Sequence, residues 1–336
     1  MKCVDLFSGC GGLSLGFQNA DIKILAALDH WNKAVDVYRD NFSHPCYLHD
    51  ISDKKSTLAL IKPYMPDMLI GGPPCQDFSS AGKRDETLGR ADLTYDFANI
   101  VCEYRPQWFV MENVERIKSS AVLANVVKQF INTGYGLTAV ILNSAFCHTP
   151  QSRNRFFLIG GLGIKNNALT PIFQKLLTDT AMTIRDYLGD SLGLDYYYRH
   201  PRNYNRRGVF SIDEPSPTVR GVNRPVPPGY KKHRGDPQHI NLSEIRPLTT
   251  IERSYLQTFP KDFKFQGAKT NLEQMIGNAV PVNMANLVAK GILEYISDNK
   301  DCQFGQIDMF ETRETFVIPK RKLVNFNLKN KGRVSV

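Results

Sequence analysis

Hydrophobic positions in the first half of the chain fall into short runs separated by stretches with a three-to-four-residue period. The runs at residues 2–7, 22–28, 67–70, 108–111 and 137–142 read as strands, and a sixth at 155–159 is entered through the polar Gln151-Ser152-Arg153-Asn154. Helical patterning fills 32–41, 96–104 and 121–132. Strand and helix in repetition predict an α/β fold built on a doubly wound, mostly parallel sheet. From about residue 181 the texture changes, because Pro201, Pro215, Pro217, Pro225, Pro227, Pro228 and Pro237 interrupt any long helix. Periodicity returns at 248–259 and at 281–296, where Val282, Ala285, Leu287, Val288, Ile292 and Leu293 make one apolar face. The predicted organisation is a body over 1–180, a smaller loop-rich domain over 181–272, a return into the body over 273–300 and a basic tail over 301–336.

A length of 336 residues allows a large domain with a smaller one attached. The seven cysteines are odd in number and form no CxxC pair, which argues for reduced thiols and no metal site. No apolar stretch approaches the roughly 20 residues a membrane span needs, and the first residues already read as a strand, so a soluble, cytoplasmic protein is expected. The net charge of +9 is unevenly placed. Nine Lys/Arg stand against Asp213 and Glu214 between Tyr196 and Arg234, and seven against Glu314 from Arg313 onward, which leaves the rest mildly acidic. Cations confined to two segments are the footprint expected of nucleic-acid contact.

Three strand ends carry candidate chemistry. After residues 67–70 comes Gly71-Gly72-Pro73-Pro74-Cys75-Gln76-Asp77-Phe78-Ser79, where two prolines fix φ and present the Cys75 thiol on a stiff loop. After 108–111 comes Glu112-Asn113-Val114, and the last strand begins at Arg153 and Arg155. The turn Phe7-Ser8-Gly9-Cys10-Gly11-Gly12-Leu13-Ser14 follows the first strand, where folds of this class meet nucleotide-like ligands. Ser14 stands at the third glycine position of a dinucleotide motif, which disfavours a dinucleotide. Asp29, about 20 residues on, suits the two ribose hydroxyls, and Asp50 suits an exocyclic adenine amine. An adenosyl compound without pyrophosphate fits these three elements, S-adenosylmethionine best.

Together these blocks resemble the cytosine C5 DNA methyltransferases of restriction-modification systems. Asp5 to Gly12 is similar to the family's cofactor loop, Pro73-Pro74-Cys75-Gln76 to its nucleophile loop, Glu112-Asn113-Val114 to its acid, and Gln151, Arg153 and Arg155 to its basic strand. Arg246-Pro247-Leu248-Thr249 with Glu252, and Gly277-Asn278-Ala279-Val280-Pro281, complete the set in family order over residues 1 to about 296. The resemblance implies S-adenosylmethionine as cofactor, S-adenosylhomocysteine as product and no metal. It implies cofactor contacts at Phe7, Gly9, Gly11, Gly12, Leu13, Asp29, His30, Asp50, Ile51, Pro74, Leu93, Asn278 and Val280.

The chemistry matches these residue types. C5 of cytosine is a poor nucleophile until another nucleophile adds at C6, which the Cys75 thiolate can do. Glu112 can then donate to N3 and accept from the N4 amine. By resemblance Arg155 contacts O2 and Arg153 orients the loop and the flipped base, which must leave the duplex to be reached. The family reads its target through the variable region, here the basic stretch, with Thr218-Val219 similar to its short signature. DNA contacts are accordingly expected at Gln76, Ser79, Arg199, Arg202, Arg206, Arg207, Thr218, Arg220, Arg224 and Arg234. The expected enzyme is a monomer that acts on double-stranded DNA, is paired with a restriction endonuclease, and is nucleoid-associated when bound. His30 departs from the aromatic often found after the ribose acid, and either it or Trp31 could stack on adenine. An RNA cytosine methyltransferase on the same scaffold and a non-enzymatic DNA-binding regulator remain the rival readings.

Overall fold

The computed structural model describes residues 1–74, 92–203 and 205–299, together with Phe316, Ile318 and Pro319. Cys75, Gln76 and Ser79 lie outside the described residues, as do the cations of the tail. Seven strands form the central sheet: β1 (Lys2–Leu6), β2 (Lys23–Asp29), β3 (Cys46–Leu48), β4 (Met68–Gly71), β5 (Trp108–Val114), β6 (Tyr135–Asn143) and, after the two-residue β7 (Gln151–Ser152), β8 (Asn154–Leu162). Their order is β3-β2-β1-β4-β5-β8-β6, with β8 antiparallel to both neighbours and all other pairs parallel. The reversal has a simple cause. The connection from Asn143 to Asn154 is shorter than the dozen or so residues a parallel crossover needs, so β8 returns beside β6 as in a hairpin.

Alternation along each strand fills two cores, one on each sheet face. Val4, Leu6, Leu69, Phe109 and Met111 point to the face covered by α3 (Lys54–Ile61), α4 (Asp92–Tyr104) and α5 (Ala121–Asn132). Cys3, Met68, Ile70, Trp108 and Val110 point to the other, covered by α1 (Gly12–Gln18), α6 (Thr170–Leu176) and α10 (Val282–Asp298). The sheet is therefore doubly wound. The remaining body helix, α2 (Asn32–Arg39), packs Val35 and Tyr38 beside β2 and β3.

The proline-rich stretch contains α7 (Ile184–Leu188), the antiparallel pair β9 (Tyr196–Tyr198) and β10 (Val209–Ser211), and β11 (Ser216–Pro217), which pairs with β7. Tyr197 and Tyr198 are buried packing residues. A third apolar cluster joins Ile184, Tyr197, Phe210 and Val219 to Leu256 of α8 (Thr250–Leu256), Met275 of α9 (Lys269–Asn278) and Cys10 of the first turn. The helix α9 thus runs across the expected 272/273 boundary. Phe316 and Ile318 pack half-buried against the first core.

The first and last helices meet at a close approach of their backbones. A Cβ on Gly16 would lie 2.4 Å from the Ala285 Cβ and 2.5 Å from the Val282 carbonyl oxygen. Gly16→Ala is expected to force α1 and α10 apart and destabilise the fold by about 1–3 kcal/mol, read as a lower urea midpoint. An unchanged midpoint would show that the contact yields freely.

Candidate active site

The cofactor turn occupies the switch point beyond the carboxyl end of β1, between β2 and β4. Its backbone is left-handed at Phe7 (φ 66°), Gly9 (54°) and Gly11 (94°). Close approaches leave no room for side chains at two of its glycines. A Cβ on Gly11 would sit 2.4 Å from the Phe42 ring, and one on Gly12 2.4 Å from the Val280 carbonyl oxygen, so the turn is pressed against α2 and against the segment entering α10. In front of Gly9, by contrast, the space is open.

Asp29, at the end of β2, holds this turn. Its Oδ2 accepts the Gly9 amide at 2.8 Å and its Oδ1 the Trp31 amide at 2.8 Å. Each carboxylate oxygen keeps a lone pair for a ribose hydroxyl, so the site fits an adenosyl group. His30 is exposed with Nδ1 3.8 Å from Asp29 Oδ1, while Trp31 packs against the third cluster, which leaves His30 as the free ring. Asp50 is exposed just past β3, its carboxylate held down by the amide and hydroxyl of Ser52. Leu13 and Ile51 are buried in the two cores, Val280 is buried beside Gly12, Pro74 and Leu93 are half-buried, and Asn278 is exposed at the end of α9.

Beneath the turn lies a polar chain that periodicity did not suggest. Ser14 Oγ donates to Asp5 Oδ2 at 2.5 Å, Tyr38 Oη donates to Ser14 Oγ at 2.8 Å, and Tyr38 Oη lies 2.7 Å from His44 Nε2. Because the tyrosine proton is committed to Ser14, the imidazole must donate, and burial pushes His44 down to about 4, which keeps it neutral. The serine that breaks the dinucleotide motif is thus the partner of a fully buried carboxyl. A buried polar residue inside a glycine turn was the only signal in the sequence.

The second group stands at the carboxyl ends of β4 and β5. In the β5–β8 register Glu112 faces Phe157 and Val114 faces Arg155, so Glu112 and Arg155 are diagonal neighbours on one face. Arg155 Nε reaches Glu112 Oε1 at 2.7 Å. Burial raises the Glu112 carboxyl above its usual range, while the guanidinium groups of Arg155 and Arg153 pull it back. Gly72 flanks the other oxygen, since a Cβ there would be 3.0 Å from Glu112 Oε2. Asn113 Nδ2 donates to Pro73 O at 3.2 Å and so fixes the chain two residues before Cys75.

Arg153 is placed differently from Arg155. It is buried and donates to the carbonyls of Val219 at 3.0 Å, Gly277 at 2.9 Å and Asn278 at 3.4 Å. Its guanidinium is thus spent on backbone from the loop-rich module and the end of α9. Gln151 adds a parallel link: its Oε1 accepts the Val219 amide at 2.7 Å and its Nε2 donates to Gln257 Oε1 at 2.6 Å. Gln257, absent from the sequence-derived set, in turn donates to Ile276 O and Ala279 O.

The structure divides the arginines expected at DNA. Arg202, Arg206, Arg224 and Arg234 are exposed. Arg199 donates to Thr218 O, Arg220 to His200 O, and Arg207 pairs with Glu214 while lying 4.2 Å over the Phe210 ring; all three are half-buried. Thr218 Oγ1 donates to Ser152 O at 3.0 Å. The buried Asp236 carboxylate, also missed from sequence, accepts the amides of Gly208, Val209 and His233 and the Tyr230 hydroxyl, holding the Lys231–Arg234 turn to β10.

Asp5 gives a test of the buried chain by pH. Burial pushes its carboxyl up to about 8, against the pull of the Ser14 hydroxyl. From about pH 4 to 8 the folded state holds a proton that the unfolded chain has released, so the contribution is full below pH 4 and lost as pH rises through 8. Asp5→Asn keeps an acceptor for Ser14 and should gain stability relative to the parent between pH 6 and 8.5 in urea unfolding. A constant difference across that range would contradict the buried proton.

Comparison with known proteins places the chain in a family. The family model for C-5 cytosine-specific DNA methylases matches residues 1–294. The type II methyltransferase M.HindV of Haemophilus influenzae is 63% identical over 295 residues, covering 88% of this chain and 97% of that protein. M.HgiDI of Herpetosiphon aurantiacus is 49% identical over 310 residues, covering 92% and 100%. Among solved structures, S. pombe Dnmt2 methyltransferase aligns with a TM-score of 0.63 at 20% identity over 89% of this chain and 99% of that one, a likeness of fold. The chain belongs to the C-5 cytosine-specific DNA methylase family and is a DNA (cytosine-5-)-methyltransferase.

Proposed function

We propose that the enzyme methylates C5 of one cytosine within a specific site of double-stranded DNA, after rotating that base out of the helix, and that it protects DNA from a partner restriction endonuclease. The observation that carries the reading is the pair of buried Glu112 and half-buried Arg155, set beside Gly72 and the Pro73–Pro74 approach to Cys75. The type II names of the relatives support the restriction pairing.

In this reading the Cys75 thiolate bonds to C6 of the extruded cytosine, and the electron pair of the broken C5–C6 double bond moves into the ring. Glu112, its carboxyl raised by burial, donates to N3 and accepts from the N4 amine, while Arg155 fixes Glu112 and reaches O2. Gly9, Asp29, His30 and Asp50 hold S-adenosylmethionine, with Gly12 and Val280 closing one wall. When bound, that cofactor supplies an electrophilic methyl group and leaves as S-adenosylhomocysteine. Loss of the C5 proton then expels the thiol and restores the ring. Arg153 acts as a positioning residue through the carbonyls it binds. We divide the chain into a catalytic and cofactor-binding part (1–180), a target-recognition part (181–272), a return (273–300) and a tail (301–336); the recognition part supplies Arg202, Arg206, Arg224 and Arg234 to duplex DNA, with Gln76, Ser79 and Thr218 near the extruded base. Cofactor contacts at Phe7, Gly11, Leu13, Ile51, Pro74, Leu93 and Asn278 belong to the same proposal. A DNA substrate is favoured over RNA by the family match and by the exposed arginines of the recognition part.

Bisulfite sequencing of DNA from cells that express the protein should reveal one modified motif, and Cys75→Ser should abolish it while duplex binding persists. Glu112→Gln should lower turnover on the order of 10²- to 10⁴-fold. Gly72→Ala should lower it about 10-fold or more by displacing the Glu112 carboxyl. Full methylation by Cys75→Ser would sink the covalent mechanism, and unmodified DNA with modified tRNA would move the substrate to RNA.

A further inference from the structure

Two buried amides, Gln151 and Gln257, tie the loop-rich module to the segment behind the cofactor turn. The Val219 amide donates to Gln151 Oε1 at 2.7 Å, and Gln151 Nε2 donates to Leu256 O at 3.2 Å and to Gln257 Oε1 at 2.6 Å. Gln257 Nε2 then donates to Ile276 O at 2.6 Å and Ala279 O at 3.1 Å. The series runs one way, from the Val219 strip to the end of α9. Since each amide nitrogen already faces two acceptors, neither side chain can turn over without setting oxygen against oxygen.

The last carbonyls of a helix have no partner within it, and at the end of α9 these two systems supply partners. Gln257 meets Ile276 and Ala279, while Arg153 meets Gly277 and Asn278 between them. Arg153 also binds the Val219 carbonyl, so both backbone groups of Val219 are referred to the same four carbonyls. Strip and helix end touch directly: a Cβ on Gly277 would lie 2.3 Å from the Gly221 amide nitrogen. On the other side the Gln257 carbonyl accepts the Val282 amide at 3.0 Å. Between Ala279 and Val282 stands the Val280 carbonyl that abuts Gly12. Gln257 therefore joins the strip that carries Thr218 to the wall of the cofactor turn.

We propose that Gln257 is a positioning residue for methyl transfer: it sets the Val219 strip at a fixed height over the cofactor turn, and with it the distance from target base to methyl donor. Its bonds are all to other parts of the protein, so it acts through Gln151 and the end of α9. This role rests on the reading above, in which Gly9 and Asp29 hold the adenosyl group and the recognition part holds duplex DNA. Transfer between two bound groups falls about 100-fold for a misplacement of about 1 Å, while each group can still bind its own half of the site. The signature is a slower transfer step with each ligand's own affinity kept.

Gln257→Met keeps the length of the side chain and removes its three side-chain bonds. Single-turnover transfer with both ligands saturating should fall about 10- to 100-fold, while affinities for S-adenosylhomocysteine alone and for duplex DNA alone stay within about 3-fold of the parent. Gln151→Met interrupts the same series, so the double variant should transfer no slower than the slower single one. Gln257→Glu gives a second arm should Gln257→Met not fold. Its buried carboxyl, while protonated, donates to one of the two carbonyls and loses that donor with its proton, so its rate relative to the parent should fall between about pH 6 and 9. Val126→Ala, in the first core on α5, should lower the urea midpoint and leave the rate unchanged. A parental rate in Gln257→Met, or in Gln257→Glu across that pH range, would overturn the role. So would additive losses in the double variant, or an equal loss of rate in Val126→Ala. A fall in one ligand's affinity as large as the fall in rate would instead make Gln257 part of that ligand's site, and overturn it too. If the parent methylates duplex DNA and the variants keep pace, only the positioning role fails; if the parent methylates no DNA, the broader reading fails whatever the variants do.

Discussion

The burial of Arg153 is the constraint on which the site depends. A guanidinium removed from water must satisfy its donors or cost several kcal/mol, and here it meets carbonyls 66, 124 and 125 residues further along the chain. A shift of the Val219 strip or of the end of α9 would break those bonds while the charge stayed buried. Gln151 and Gln257 repeat the linkage with neutral groups. Arg155, two residues on from Arg153, is left to pair with Glu112 across the sheet. One basic strand thus carries a cation that builds the frame and a cation that faces the carboxylate.

Much of the body was legible because strand ends announce themselves. Glu112 and Asp29 each follow an apolar run and Arg155 opens one, and the alternation of the strands sets which face each residue takes. The bounds of α5 agree with the helical patterning of 121–132. Shorter elements escaped: β3 has three residues, too few for alternation to register, and α9 lacks a clear apolar stripe. The antiparallel course of β8 was hidden in a connection length.

The contacts that assemble the site were less legible than its parts. Asp5 and Ser14 are nine residues apart, but the Tyr38 and His44 that continue the chain come from another helix and its following loop. Gln257 and Asp236 look like ordinary polar residues in sequence, and only the carbonyls and amides folded around them give them work. The arginines of the basic stretch were indistinguishable as letters. Burial separates Arg199, Arg207 and Arg220, which hold backbone or acids, from Arg202, Arg206, Arg224 and Arg234, which face water.

The contact of Gly12 with the Val280 carbonyl, and of Gly16 with Ala285, joins the first turn of the chain to its last long helix. A ribosome makes the glycine turn within the first moments of synthesis, yet one wall of the cleft it opens on is delivered some 270 residues later. If the turn holds the adenosyl group as proposed, a chain clipped before α10 would lack the backbone that Gly12 and Gly16 pack against, and with it one wall of that cleft. Completion of the proposed cleft thus waits on the synthesis of α10.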